Sequence, residues 1–447
     1  MKKALLLISS VFFFKGEDFM SYILITDDNK IYTGGRNTEG QAGTGSYNSG
    51  SSSYNYALYP PKEIVYETLD GTILDGSMIK DYCSNYYSSA LVDNDGNLYT
   101  CGSKNYLGDS STSNRYIFKK IEGIDNVDRV FCGQSTIIIL KNDKSILATG
   151  SYPGTGSTST IYNFQKVKIS QDEDVPNNIK DISACKNLTV ALDEDGYIYA
   201  WGSMGNNVFC DNVSVKYYAT KLPIKNVVKA VATDYGIIAL DKFGDVWISG
   251  ASSSLGYNCY PGEFMGGSAT ATNGFVNISK STINKVWYQD SSGEKYTFPK
   301  NVIDIFQVGG YPAIRYLDDN NSVNILTTRG CQKYLGAGTS PSSNIYWYSS
   351  SIPYDFENTH SNLFSLETSY GYLYGAFNKD DGKLYCTGTK GTNGTASDSF
   401  TALKEIGGMT DKNIVKVFSE VKDVNIANIV YKMPDINKAK VKIQSMI

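Results

Sequence analysis

The sequence predicts an all-β fold of repeated four-stranded antiparallel blades set around an axis, a β-propeller. Three observations carry this prediction: a hairpin pattern that recurs along most of the chain, turn residues between its two apolar runs, and glycines that close successive copies at near-regular spacing. The clearest copy reads LTVALDEDGYIYAWG over 188–202. Others are YILITDDNKIYTGG (22–35), SSALVDNDGNLYTCG (88–102), TIIILKNDKSILATG (136–150), GIIALDKFGDVWISG (236–250) and YGAFNKDDGKLYCTG (374–388), with a degraded RYLDDNNSVNILTTRG at 315–330. Alternating Val, Ile, Leu and Tyr suit a pleated, half-buried strand. Asp-Gly or Asn-Gly between two such runs is a strong hairpin signal, because the turn needs φ > 0.

The remaining strands follow from what flanks each hairpin. An apolar run precedes it, as at 127–132, 179–185, 227–232 and 302–306. Another follows the glycine loop, as at 116–121, 162–167 and 400–406. The middle closing glycines, Gly102, Gly150, Gly202 and Gly250, lie 48, 52 and 48 residues apart; elsewhere the gaps widen to 67, 80 and 58, which predicts loop insertions. A lone hairpin cannot bury its apolar face, so units of this length must stack. Seven blades are expected, with eight, the last incomplete, as the alternative. Residues 1–433 are read as one propeller domain and 434–447 as a tail, a closing strand or a docking segment.

Both ends leave alternatives open. Lys2 and Lys3 precede an apolar run to Phe14, which fits a short signal peptide, a first strand at 11–14, or sequence upstream of a start at Met20. At the far end, 413–433 again reads as first and second strands, so 415–418 either closes the first blade or opens an eighth unit. Of the eight cysteines none forms a C-x-x-C pair, and Cys83, Cys132 and Cys185 are expected at matching places in the repeat as small buried apolar residues.

The loop after the first hairpin, GGRNTEGQAGTG (34–45), resembles the signature of the regulator-of-chromosome-condensation repeat. Weaker echoes are CGSKNYLGD (101–109), SGASSSLGY (249–257) and RGCQKYLGAG (329–338). The resemblance covers about 7–433 and implies a seven-bladed propeller, here of a bacterial or phage type. The eukaryotic founder of that family is a guanine-nucleotide exchange factor for a small GTPase on chromatin, and a bacterial member blocks β-lactamase with its face loops. Neither set of contact residues transfers to this chain, since face loops diverge while blades persist.

Composition narrows the chemistry. Apolar residues make up 41% and charged residues 19%, enough for a large core, and the formal charge of −4 argues against nucleic acid or anionic membrane as partner. The single histidine, His360, excludes any mechanism needing two. No serine-hydrolase, zinc-protease or phosphate-loop motif is present. Acidic turns such as Asp93, Asp95 and Gly96 lack the full ligand set of a calcium loop and read as hairpin turns. No enzyme activity, cofactor or metal is therefore expected.

The insertions point instead to binding. Residues 43–62, 251–300 and 340–354 mix Ser, Gly and Asn with aromatics, the composition of adaptable contact loops. The candidate binding residues are Tyr54, Tyr56, Tyr257, Tyr260, Trp287, Tyr346, Trp347 and Tyr348. The expected function is a non-catalytic binding or scaffold protein that holds a protein or a cell-surface glycan, such as a phage tail or baseplate component among other virion proteins. The alternatives are a secreted protein inhibitor and a guanine-nucleotide exchange factor. A virion or extracellular location is favoured over the cytoplasm.

Overall fold

The computed structural model describes residues 11–13, 21–49, 57–67, 74–205, 208–234, 236–250, 274–279, 288–289, 295–296, 299, 301–308, 311–317, 323–328, 347–350, 362–368, 371–378, 383–388, 400–405, 408–409, 414–418 and 422–424. Among them no α-helix occurs, and the repeats fold into antiparallel sheets whose strands follow one another in sequence. Sheet A orders Ile414–Phe418, Ser21–Thr26, Ile31–Arg36 and Ala57–Glu63. Sheet B orders Ile79–Ser84, Ser88–Asp93, Leu98–Gly102 and Arg115–Lys120, with Tyr66–Glu67 added in parallel beside the last. Sheet C is Val127–Gly133, Thr136–Lys141, Ile146–Gly150 and Ile161–Lys166; sheet D is Ile179–Cys185, Leu188–Asp193, Ile198–Ser203 and Val215–Lys221. Sheet E is Val227–Thr233, Gly236–Asp241, Val246–Gly250 and Val276–Asn277. Sheet F is Val302–Val308, Tyr311–Leu317, Val323–Thr328 and Trp347–Ser350; sheet G is Asn362–Thr368, Gly371–Asn378, Lys383–Gly388 and Phe400–Glu405.

The first strand of sheet A comes from the far end of the chain. Leu24 pairs with Val417 and Ile23 with Phe418, so 414–418 covers an edge that would otherwise be open. The run near residue 11 does not take that place: Val11–Phe13 pairs with Lys422–Val424 in a separate two-stranded sheet.

The hairpins show how sequence sets conformation. In sheet B the Asp93 carboxylate accepts the amides of Asp95 at 3.0 Å and Asn97 at 2.8 Å, while Gly96 takes φ +81°. Asp193 and Asp241 repeat this, accepting Tyr197 N at 2.7 Å and Asp245 N at 3.0 Å. These aspartates are thus spent on their own turns. The closing glycines mark a bulge in the third strand. Gly202 has φ +121°, and a Cβ there would overlap the Asn187 carbonyl oxygen.

The core lies between sheets. Phe131, Ile138 and Leu140 of sheet C meet Ile182, Ala191 and Trp201 of sheet D in one buried cluster. Cys83, Ala90 and Val92 of sheet B meet Val130, Cys132 and Ile137 of sheet C in another. Full burial of each such aliphatic side chain is worth about 1.5–3 kcal/mol, and none is available to a sheet alone.

The cysteines depart from expectation in register. Cys83 pairs with Ala90, Cys132 with Ile137 and Cys185 with Leu188, which places them in three successive rows of the repeat. Adjacent rows project to opposite sides of a strand, so Cys83 and Cys132 face each other across neighbouring sheets. They form a disulfide with Cα atoms 5.7 Å apart, while Cys101 and Cys185 are buried and lie outside any disulfide.

Just past a bulge in each first strand, one row carries charge. Asp81, Arg129, Asp181, Lys229 and Asp304 hold the same register in sheets B to F. The signs alternate, and side chains reach the next sheet. Arg129 pairs with Asp181 at 2.8 Å, Lys229 with Asp304 at 2.8 Å, and Asp81 accepts Val130 N at 2.7 Å.

Candidate binding face

In an antiparallel meander, the turns between first and second strands and the loops between third and fourth strands emerge at one end. The second-to-third turns and the connections to the next sheet emerge at the other. The first end carries a cluster of tyrosines.

At its centre is the two-residue turn of sheet B. Asn85 Oδ1 accepts the amides of Tyr87 at 2.9 Å and Ser88 at 2.8 Å, and Asn85 Nδ2 donates to Thr136 O of sheet C at 3.3 Å. This buried asparagine fixes Tyr86 and Tyr87 at the surface. The two rings lie 4.6 Å apart, and Tyr87 stacks on Tyr106 at 4.6 Å with a 20° interplanar angle. The Arg36 guanidinium sits 3.9 Å from the Tyr86 ring centroid. Beside them Glu39 accepts Asn114 Nδ2 at 3.1 Å. Partial burial, with Tyr106 alongside, pushes the Tyr87 phenol above its ordinary range, so it stays a neutral donor at physiological pH.

The glycine-rich loops supply the frame. The loop after sheet A lies over sheet B: Gln41 Nε2 donates to Tyr86 O at 2.8 Å, and Ser89 Oγ donates to Gln41 O at 2.6 Å. Asn37 closes this loop by donating to Ser46 O at 3.0 Å and accepting Ala42 N at 3.1 Å. The same strap recurs. Gly45 N donates to Tyr116 O at 2.7 Å, Ser110 N to Tyr162 O at 2.8 Å and Gly156 N to Tyr217 O at 2.8 Å, each reaching the fourth strand of the next sheet. The loop signature seen in the sequence is therefore a sheet-to-sheet latch.

Nearer the first strands, Lys186 Nζ pairs with Asp234 at 2.7 Å, and the Cys185 thiol approaches Asp234 Oδ1 at 3.1 Å and Gln307 Oε1 at 3.4 Å. Among the described residues no group of three or more His, Cys, Asp or Glu could hold a metal ion.

Comparison with known structures decides the architecture. Prp20p, the RCC1 of Saccharomyces cerevisiae, superposes with a TM-score of 0.56 over 95% of this chain and 97% of its own, at 14% identity. Yeast RCC1 bound to Kap60 gives the same score over 95% and 94%. Human WBSCR16 gives 0.53 over 87% and 94%, at 12% identity. The chain has the β-propeller fold seen in RCC1. By sequence, this propeller is 29% identical over 122 residues to the human X-linked retinitis pigmentosa GTPase regulator, a stretch that is 26% of this chain and 12% of that protein. It thus spans far less than two thirds of that relative. No family model matches.

On the propeller, Tyr54 and Tyr56 fall in the third-to-fourth connection of sheet A, Tyr257 and Tyr260 in that of sheet E, Trp287 between the last strand of sheet E and the first of sheet F, and Tyr346 in the third-to-fourth connection of sheet F. All six lie outside the described residues, as does His360. The backbones of Trp347 and Tyr348 are not loop. They pair with Thr328 and Thr327 as part of the fourth strand of sheet F. The residues that sequence reasoning missed are Arg36, Tyr86, Tyr87 and Tyr106. The signal was available in a Tyr-Tyr pair at a first-to-second turn, where the neighbouring repeats carry Gln134-Ser135 and Lys186-Asn187.

Proposed function

We propose that this propeller is a non-catalytic binding protein that grips a protein partner with the face carrying Arg36, Tyr86, Tyr87 and Tyr106. The observation behind this reading is the packed aromatic cluster, with the buried Arg36 guanidinium 3.9 Å from the Tyr86 ring centroid. Tyr and Arg dominate interface energetics, and groups already held in place lose little entropy on binding. Yeast RCC1 bound to Kap60, and Prp20p with its binding to Gsp1p and histones, lend support, since their partners are proteins. In this reading residues 1–433 form the propeller, and 434–447 a tail, closing strand or docking segment.

Tyr87→Ala keeps the backbone bonds of the turn and is expected to weaken partner binding by about 2 kcal/mol, as for an interface hot spot. Titration calorimetry with the partner checks this, and an unchanged affinity removes the face from the reading. A second reading, guanine-nucleotide exchange on a small GTPase, is favoured by the likeness to Prp20p, which binds Gsp1p. Release of labelled nucleotide from a GTPase, accelerated by the wild type and not by Tyr87→Ala, would support it. A phage tail or baseplate component and a secreted β-lactamase inhibitor would use the same face. Proteomics of purified particles and an inhibition assay separate those two.

A further inference from the structure

The outermost strands of four successive sheets carry a tyrosine at one register. The closing glycines pair with Leu58 in sheet A, Arg115 in sheet B, Ile161 in sheet C and Lys216 in sheet D. The next residue is Tyr59, Tyr116, Tyr162 or Tyr217. In sheets B to D the carbonyl of this tyrosine accepts the strap amide of the preceding sheet's loop, so the repeat holds each at a fixed place. The rings are not core. Tyr162 is 48% exposed, and Tyr47, 52% exposed, lies 5.2 Å from the Tyr116 ring. Tyr152 lies 6.2 Å from Tyr217 at an interplanar angle of 19°. Its φ of +52° is one a bulky side chain rarely adopts, so that ring is held in place against backbone strain.

The row is polar but electrically balanced. Within two positions of Tyr47, Tyr116, Tyr152, Tyr162 and Tyr217 the chain carries two charged side chains, Arg115 and Lys216. Arg115 is paired with Asp109 and Lys216 with Asp211. Further along the same strands Lys119 pairs with Glu67 at 3.0 Å and Lys166 with Asp174 at 2.7 Å. Beside Tyr116, Asn114 donates to Glu39 and accepts the amide of Lys104, each at 3.1 Å, which sets one charge of each sign there. An ionic ligand therefore finds no field to select it, while the rings stand among neutral Asn48, Thr160 and Asn163.

We propose that this row binds a neutral linear polysaccharide, with successive sugars seated on the Tyr47–Tyr116, Tyr162 and Tyr152–Tyr217 platforms. A pyranose ring presents a face of C–H groups that packs on the electron-rich face of a tyrosine, and its hydroxyls exchange hydrogen bonds with neutral amides and hydroxyls. A polymer repeats that face as the sheets repeat the ring, so individually weak contacts add along the chain. The row is distinct from the turn cluster of Tyr86 and Tyr87, and the two sites can be filled together.

The test is affinity electrophoresis of the full chain in native gels cast with dextran, galactomannan or hydroxyethyl cellulose, and with polygalacturonate as the acidic counterpart. Retardation by at least one neutral polymer, unchanged by added salt, is expected, with none by polygalacturonate. Tyr162→Ala removes an exposed ring and should weaken the apparent affinity about tenfold, whereas Tyr162→Phe, which keeps the ring, should retain it. Circular dichroism confirms that both variants fold. A hexasaccharide of the retarding polymer should compete, and its disaccharide should not. Tyr87→Ala should leave retardation unchanged, so failure here is distinct from failure of the partner face. Retardation by no neutral polymer, stronger retardation by polygalacturonate, or retardation untouched by Tyr162→Ala overturns the proposal.

Discussion

At the scale of single residues, the repeat is a set of backbone conformations that particular side chains permit. Lys144 occupies the turn position held by Gly96 and Gly196 in neighbouring sheets, with φ +67°. A side chain in that region is strained, and the Lys144–Asp128 contact at 3.9 Å is a surface pair of little worth. Lys144→Gly should therefore stabilise the protein by about 1 kcal/mol, read from the urea midpoint. Gly202→Ala should lower stability by more than about 2 kcal/mol, since it combines positive φ with overlap against a carbonyl oxygen. These glycines were legible in the sequence because few other residues meet both conditions, and their spacing announced the repeat. The Cys83–Cys132 disulfide was not, because it depends on a one-row offset between strands that similar-looking segments conceal.

At the scale of elements, the alternating charge row ties first strands together. Lys229 and Asp304 are both buried and pair at 2.8 Å. Burial is the larger influence on each, lowering the Lys229 ammonium to about 8 and raising the Asp304 carboxyl above the usual range. The sign follows from linkage. Between about 8 and the ordinary lysine value of 10.5 the unfolded chain binds more protons at Lys229, so its contribution grows as pH rises and is lost as pH falls through that window. For Asp304 the folded state holds the extra proton, so stability declines as pH rises from 3.8 through the raised folded value. Asp304→Asn alone takes the carboxylate partner from a buried ammonium and should cost about 3–5 kcal/mol, whereas Lys229→Met with Asp304→Leu should be close to neutral. Thermal unfolding of the two variants checks this. The row is visible in retrospect as a charge at the third position of IKDYC, VDRVF, IKDIS, VVKAV and VIDIF. Hydropathy alternation passes over it, because charged residues on buried strands read as interruptions.

At the scale of the whole molecule, sheet A depends on a strand from the other end of the chain. Lys416→Pro would remove a ladder amide opposite Ile25 and expose the edge of Ser21–Thr26. It should lower the melting temperature and promote aggregation, seen by light scattering during a thermal ramp. Architecture was readable because every repeat states it again. The binding face was readable only in kind: long Ser- and Gly-rich insertions drew the candidate aromatics, while Tyr86, Tyr87 and Tyr106 stand in a two-residue turn and a short loop that look like framework. What makes them a cluster is the turn's own Asn85 together with the loop of the preceding repeat, where Gln41 holds the Tyr86 carbonyl.

The most direct test of this account is quantitative affinity capture from extracts of the source organism, comparing wild type, the double variant Arg36→Ala/Tyr87→Ala, and Tyr162→Ala. The account predicts at least one protein that wild type and Tyr162→Ala retain and the double variant loses. Identical captured sets for wild type and the double variant would contradict it.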